Sequence, residues 1–123
     1  IEKTKNNTGL IVNFAFNYGG RREIVQAAKQ VIEAMREQDL ELDENLFHQM
    51  LYTNELPDPE LIIRTGGEQR LSNFLLWQCA DAELYFTDIY FPDFNEKDLE
   101  KAIVEYQKRK AANDFTKWYS KAK

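Results

Sequence analysis

The sequence predicts an α/β fold with a mostly parallel sheet flanked by helices. Two observations carry that prediction. Apolar runs of strand length alternate with stretches of helical spacing. The joins between them are marked by Gly-Gly pairs and prolines. The chain of 123 residues has the size of one domain or a piece of one. No Gly/Ser linker, internal repeat or low-complexity segment divides it.

Leu10 to Phe16 reads as a strand, nearly continuous in apolar residues as expected where both faces are covered. Asn17-Tyr18-Gly19-Gly20 breaks it. From Arg22 to Gln38, Ile24, Ala27, Ala28, Val31, Ile32 and Met35 recur at helical spacing. Strand, Gly-Gly turn and helix together make half of a βαβ unit. Asp43 can cap a second helix carrying Leu46, Phe47, Met50 and Leu51. Pro57 and Pro59 punctuate the loop before Leu61-Ile62-Ile63, a short buried strand ending at Arg64. Ser72 is expected to open a short helix through Trp77, and Leu84 to Thr87 is a third strand. Asn95, with Asp98 three residues on, caps a last helix whose stripe is Leu99, Ala102, Ile103 and Tyr106.

Composition excludes several functions. The formal net charge of −5 argues against general nucleic-acid binding, which needs a basic surface to neutralise phosphates. A single cysteine, Cys79, excludes an internal disulfide framework and a Cys-rich zinc site. Cys79 reads as a small buried apolar residue. A single histidine, His48, beside Phe47 and Met50, reads as structural. The longest apolar runs are too short to span a bilayer, and no signal segment opens the chain. The expected compartment is therefore the cytoplasm. Because the chain starts at Ile1, it reads as processed or cut from something longer.

Charge is uneven. Glu37 to Glu60 holds eight acids and no Lys or Arg, while Lys108 to Lys123 holds six basic residues. Both runs read first as solvated helix faces. The basic tail also carries Phe115, Trp118 and Tyr119, a pattern that suits contact with an anionic membrane surface.

The informative stretch runs from Arg64 to Phe74. Arg64 stands at the C-terminal end of a buried strand, the edge where open parallel sheets bind ligands. Gly66 and Gly67 allow backbone to approach a ligand closely. Arg70 follows, then Ser72 at an expected helix start, where free N–H groups carry partial positive charge. Two guanidinium forks, a hydroxyl and a helix start suit a phosphate or diphosphate. The plainer alternative is that Arg64 pairs with Glu68, Ser72 is only a cap, and the glycines only turn. The Gly-x4-Gly-Lys spacing of a P-loop is absent. Asn17, Gly20 and Arg21, at another strand's C-terminal end, are further candidates to line the site. Phe74, Leu75 and Trp77 read as core before substrate wall.

Arg64-Thr65-Gly66-Gly67-Glu68-Gln69-Arg70-Leu71-Ser72-Asn73-Phe74 resembles the signature of the cis-prenyltransferases, and within them the bacterial undecaprenyl diphosphate synthases. Three further motifs follow that family in order: Asn13 to Arg21, Leu56 to Leu61, and Glu83 to Asp88 with Phe91 to Phe94. The similarity covers roughly residues 8 to 108. It implies an enzyme that condenses isopentenyl diphosphate with an allylic diphosphate, such as farnesyl diphosphate, in cis geometry. The product would be a long polyprenyl diphosphate, precursor of a cell-wall lipid carrier. By the same resemblance Arg64, Arg70 and Ser72 hold the diphosphate of isopentenyl diphosphate. Glu83 contributes to a magnesium (Mg2+) site, a hard cation suited to carboxylate and diphosphate oxygens. A homodimer is also implied.

The match has two departures. Residues 1–123 correspond only to the carboxy-terminal part of a single family domain. The family's amino-terminal half carries its metal-holding Asp, the allylic subsite and most of the product tunnel. Alone, the chain is expected to be inactive and to expose strand edges. Residues 109–123 depart from the family's Gly-containing tail, since no glycine follows Gly67. Two competing readings are a non-catalytic partner subunit and a generic diphosphate-binding domain. Retention of the arginines, which partner subunits tend to lose, favours the catalytic reading.

Overall fold

A computed structural model describes residues 2–121, with side chains described through residue 112. The elements in order are α1 (Gly20–Glu37), α2 (Glu44–Gln49), β1 (Leu61–Arg64), β2 (Glu83–Phe86), a 3-10 turn at Phe91–Asp93, and α3 (Glu96–Lys121). β1 and β2 pair in parallel, Leu61 beside Glu83 and Arg64 beside Phe86. The α/β class and the parallel pairing are as the sequence predicts. Phe115, Trp118 and Tyr119 of the tail have side chains outside the described residues.

Local chemistry explains the helix starts. The Asp43 carboxylate accepts the Leu46 N–H at 2.7 Å and caps α2. Asn95 and Asp98 form the reciprocal capping box of α3: Asn95 Oδ1 accepts Lys97 N–H at 3.0 Å, and Asp98 Oδ2 accepts Asn95 N–H at 3.3 Å. α1 starts differently, since its N-cap Gly19 makes no side-chain bond. The Gly19-Gly20 pair lies hard against residues 73–76. A Cβ on Gly20 would come within 2.8 Å of Leu76 Cγ and 3.1 Å of the Leu76 nitrogen. The pair is therefore required by close approach.

Two expected elements do not form. Residues 10–16 are not a strand. A strand needs a ladder partner, and among the described residues the sheet consists of β1 and β2 alone. The side chains that call for cover on both faces are open instead: Leu10 is 89% exposed and Phe16 86%. The segment from Ser72 to Trp77 is a series of turns, not a helix. Ser72, Asn73 and Leu75 take φ of 49°, 66° and 43°, left-handed values that no right-handed helix contains.

The fully covered apolar residues are few: Ala27 and Val31 on α1, Leu51, Cys79 and Ala102. Cys79 is thus buried as expected, and burial, then the nearby Asp58 charge, pushes its thiol up. Trp77 is half-buried and packs against Phe47 with ring centroids 4.5 Å apart. A folded monomer of this mass exposes roughly 6,900 Å²; this chain exposes 10483 Å². Val25, Ile32 and Met35 on α1 and Leu99, Ile103 and Val104 on α3 all remain open.

Gly20→Ala should destabilise the chain by ~1–3 kcal/mol, because the added methyl meets backbone as well as Leu76. Urea denaturation followed by circular dichroism reads this out. An unchanged midpoint would mean that residues 73–76 can withdraw from α1 without loss.

Candidate functional site

Arg64 ends β1 at the carboxyl edge of the sheet. There the loops after β1 and β2 are tied together. Thr87 N–H donates to the Arg64 carbonyl at 3.0 Å, Gly67 N–H to the Thr87 carbonyl at 2.9 Å, and Gly66 N–H to the Ile89 carbonyl at 2.9 Å. Gly66 and Gly67 take φ of 88° and 81°, which glycine adopts without a Cβ penalty. The ladder therefore continues past the strands and fixes the backbone that carries Arg64.

The Arg64 guanidinium then reaches across the loop. Its Nη1 donates to Ser72 Oγ at 2.7 Å and to the Arg70 carbonyl oxygen. Both bonds use Nη1, so Nε and Nη2 keep donors for a further acceptor. Arg70 forms an exposed ion pair with Glu68. Glu68 thus pairs with Arg70, where the plain alternative set it against Arg64. A small cavity of about 290 Å³ is lined by Ile62, Arg64, Arg70, Ser72 and Phe74 among others. Guanidinium, hydroxyl and backbone converge there in a form that suits a doubly charged oxyanion.

Ser72 reaches this position as part of a strained turn. Three non-glycine residues in left-handed geometry within four positions cost about 1–3 kcal/mol each. Ser72 is no helix cap, so the expected dipole at its own helix start is absent.

Gly20 and Arg21 are brought to the same region. Gly20 N–H donates to the Asn73 carbonyl at 2.7 Å and Arg21 N–H to Asn73 Oδ1 at 2.9 Å. The Arg21 side chain itself is exposed. Asn17, with φ of 52°, lies with Tyr18, Tyr52, Phe74 and Gln78 around a separate cavity of about 430 Å³. Phe74 and Leu75 line it too, with Tyr18 and Phe74 edge to face at 5.7 Å.

Glu83 is not brought to the arginine cluster. It begins β2 beside Leu61, three positions from the Arg64 level, or about 10 Å along the strand. Its carboxylate lies 3.7 Å from the Arg109 guanidinium of α3, which also donates to the Leu84 carbonyl at 2.7 Å. Among the described residues no three His, Cys, Asp or Glu side chains come together as a metal cluster. The described residues thus form no complete ligand set for a cation at this position. A magnesium ion is commonly held by one or two carboxylates plus substrate phosphates, so a single ligand is compatible with that chemistry.

Two residues behind the site were not singled out from the sequence. Glu23 is 1% exposed and accepts from Tyr18 OH, from Tyr52 N–H at 2.9 Å, and from Gln78 Nε2 at 3.1 and 3.2 Å. Gln78, 2% exposed, also donates to Thr53 Oγ1 at 2.8 Å. Glu23 lies in the first turn of α1, where the helix dipole favours a carboxylate. Burying a charge requires such a set of donors. The only sequence hint is an acid at helical spacing with apolar Ala27 and Val31.

Guanidinium, hydroxyl and two glycines thus meet at the carboxyl edge of a parallel pair, the edge where open α/β sheets bind ligands. The chain belongs to the prenyltransferase family described as "Putative undecaprenyl diphosphate synthase", whose profile matches residues 1–113. It is 54% identical over 112 residues to an isoprenyl transferase of Clostridium perfringens, covering 89% of this chain and 44% of that protein. It is 51% identical over 111 residues to a ditrans,polycis-undecaprenyl-diphosphate synthase of Micrococcus luteus, covering 88% and 45%. A "probable undecaprenyl diphosphate synthase" from Campylobacter jejuni superposes with a TM-score of 0.73 at 44% identity, covering 86% of this chain and 48% of that one. Lavandulyl diphosphate synthase from Lavandula x intermedia, in complex with dimethylallyl diphosphate, superposes at 0.69 with 48% identity, covering 72% and 40%. The chain spans less than half the length of these relatives.

Burial, and then the bond to Glu23, pushes the Tyr18 phenol well above the ordinary value of 10.0. The folded state favours the neutral phenol. Its contribution to stability is fully present below about pH 10 and is lost as pH rises through the higher folded value. In an absorbance titration the chain should show a phenol phase well above pH 10, and Tyr18→Phe should remove it. A titration above pH 10 that Tyr18→Phe leaves unchanged would show that Tyr18 is not held by Glu23.

Proposed function

We propose that this chain carries the isopentenyl diphosphate half-site of a cis-prenyltransferase. The reaction would join isopentenyl diphosphate to an allylic diphosphate, such as farnesyl diphosphate. Repeated in cis geometry, it would make a long polyprenyl diphosphate that serves as a cell-wall lipid carrier precursor. The observation that carries the reading is Arg64, held by Ser72 and the Arg70 carbonyl at the carboxyl end of β1 with further donors to spare. Family membership supports it.

The residues divide the work. Arg64, Arg70 and Ser72 bind the diphosphate of isopentenyl diphosphate. Arg70 would exchange its exposed pairing with Glu68 for the ligand, at small cost because exposed ion pairs are weak. Holding the diphosphate orients the π-bond for attack on the allylic carbon; the allylic C–O bond breaks, its diphosphate leaves, and the adduct loses a proton to form the new double bond. Gly20 and Arg21 adjoin the site through their backbone bonds to Asn73, while Asn17 borders the neighbouring cavity. Magnesium is the cofactor we propose, with Glu83 as one ligand; when bound it supplies positive charge to diphosphate oxygens. No nucleophilic side chain is needed, because the attacking group is the π-bond.

The open apolar residues of α1 and α3 support two further parts of the reading. This chain alone is inactive, and the working enzyme is a homodimer. A cytoplasmic location at the inner face of the membrane suits an apolar product. Among the described residues no helix is long and apolar enough to cross a membrane.

Calorimetric titration of the chain with isopentenyl diphosphate, magnesium present and inorganic diphosphate as comparison, tests the reading. Preference for isopentenyl diphosphate supports the half-site. Equal binding favours a generic diphosphate-binding domain. In an active enzyme, Arg64→Ala should weaken isopentenyl diphosphate binding by ~1.5–3 kcal/mol, the range for hydrogen bonds to charged groups. Unchanged affinity removes Arg64 from the site. Glu83→Gln should shift the magnesium dependence of activity more than the melting temperature; equal losses in both would mark Glu83 as structural.

A further inference from the structure

Ser72 binds Arg64, yet the very next residue binds a different element. Asn73 presents two oxygens to the start of α1, its carbonyl to Gly20 N–H at 2.7 Å and its Oδ1 to Arg21 N–H at 2.9 Å. Gly19, the residue that would ordinarily cap α1, has no side chain to offer. Asn73 thus caps the helix from 52 positions along the chain. Asn73 therefore occupies two of the first-turn N–H groups of α1.

The approach is close on both sides. A Cβ on Gly19 would come within 2.9 Å of Asn73 Nδ2, and one on Gly20 within 2.8 Å of Leu76 Cγ. The Gly-Gly pair and the Ser72-Asn73 turn are therefore complementary surfaces. The turn has no regular structure of its own to hold it. Ser72 and Asn73 are left-handed at φ of 49° and 66°. Asparagine tolerates that region better than most side chains and also offers a capping oxygen. α1 is in turn locked by Glu23 to Tyr52 and Gln78. It gives the turn a rigid anchor.

We propose that Asn73 is a positioning residue for the diphosphate subsite. By clamping the first turn of α1 it holds Ser72, and through Ser72 the Arg64 guanidinium, in binding geometry without touching the ligand. Gly20 and Arg21 then act through their backbone N–H groups and not through the Arg21 side chain. The ligand-binding consequence rests on the proposed function; the Asn73–Ser72–Arg64 linkage does not.

The test separates the two. Asn73→Gly permits the left-handed backbone and removes the side-chain cap; Asn73→Asp keeps a capping oxygen. Asp43→Ala removes the cap of α2 instead and controls for general loosening. Amide exchange at Arg21 and the NMR signals of the Arg64 guanidinium are read without ligand. Calorimetry with inorganic diphosphate and isopentenyl diphosphate follows. Asn73→Gly should lose protection at Arg21, shift the Arg64 signals, and weaken diphosphate binding roughly five- to tenfold. Asn73→Asp should keep Arg21 protected and the Arg64 signals in place, and Asp43→Ala should leave both untouched. Unmoved Arg64 signals in Asn73→Gly overturn the proposal. So does an equal shift in Asp43→Ala. If Asn73→Gly does not fold, shifted Arg64 signals in Asn73→Asp with Arg21 still protected overturn it as well. Failure of the unaltered chain to bind either ligand counts against the proposed function alone, since the ligand-free signals still judge Asn73.

Discussion

A single carboxylate organises the part of the molecule that positions the arginine cradle. Glu23 leaves water entirely, and a buried charge persists only where donors surround it. Its donors come from three separate segments: Tyr18 before α1, Tyr52 after α2, and Gln78 beyond the Ser72 turn. Because each donor must stay in place for the charge to be tolerated, the three segments are fixed relative to α1. The polar network does here what a large apolar core does elsewhere, and few apolar residues are fully covered.

From that anchor the order passes outward by short steps. α1 presents its first-turn N–H groups to Asn73, and Asn73 is followed back to Ser72, whose hydroxyl accepts from Arg64. The other side of Arg64 is held by the ladder that joins the loops after β1 and β2. Strain in the left-handed turn is sustained because bonds on both flanks over-determine it. The same geometry explains why the turn is not a helix. A helix from Ser72 would satisfy its own backbone and withdraw both Ser72 and Asn73 from their partners.

The exposed apolar surface has a consistent physical sense. Leu10 to Phe16 and the open stripes of α1 and α3 have the composition of covered elements and lack cover among the described residues. The chain spans less than half the length of its relatives. A two-stranded parallel pair is not a stable sheet on its own, and parallel sheets occur almost only with both faces covered.

Much was legible in the sequence itself. Apolar alternation of strand and helix periods is local, so it revealed the α/β class, β1, β2 and the helices. The caps at Asp43 and Asn95 follow from side chains within three residues of their targets. The Arg64–Ser72 stretch pointed to an anion site through residue chemistry, with a plain paired turn as the alternative. What the sequence by itself could not determine depends on partners distant along the chain. Leu10 to Phe16 has a strand's pattern, but a strand exists only with a ladder partner. Ser72 has a cap's chemistry, but its backbone is set by Arg64 and, through Asn73, by a helix 52 positions away. Glu23 looks like any first-turn acid until three remote donors close over it. Spacing along the chain encodes periodicity and capping; only tertiary structure decides which distant groups share a hydrogen bond.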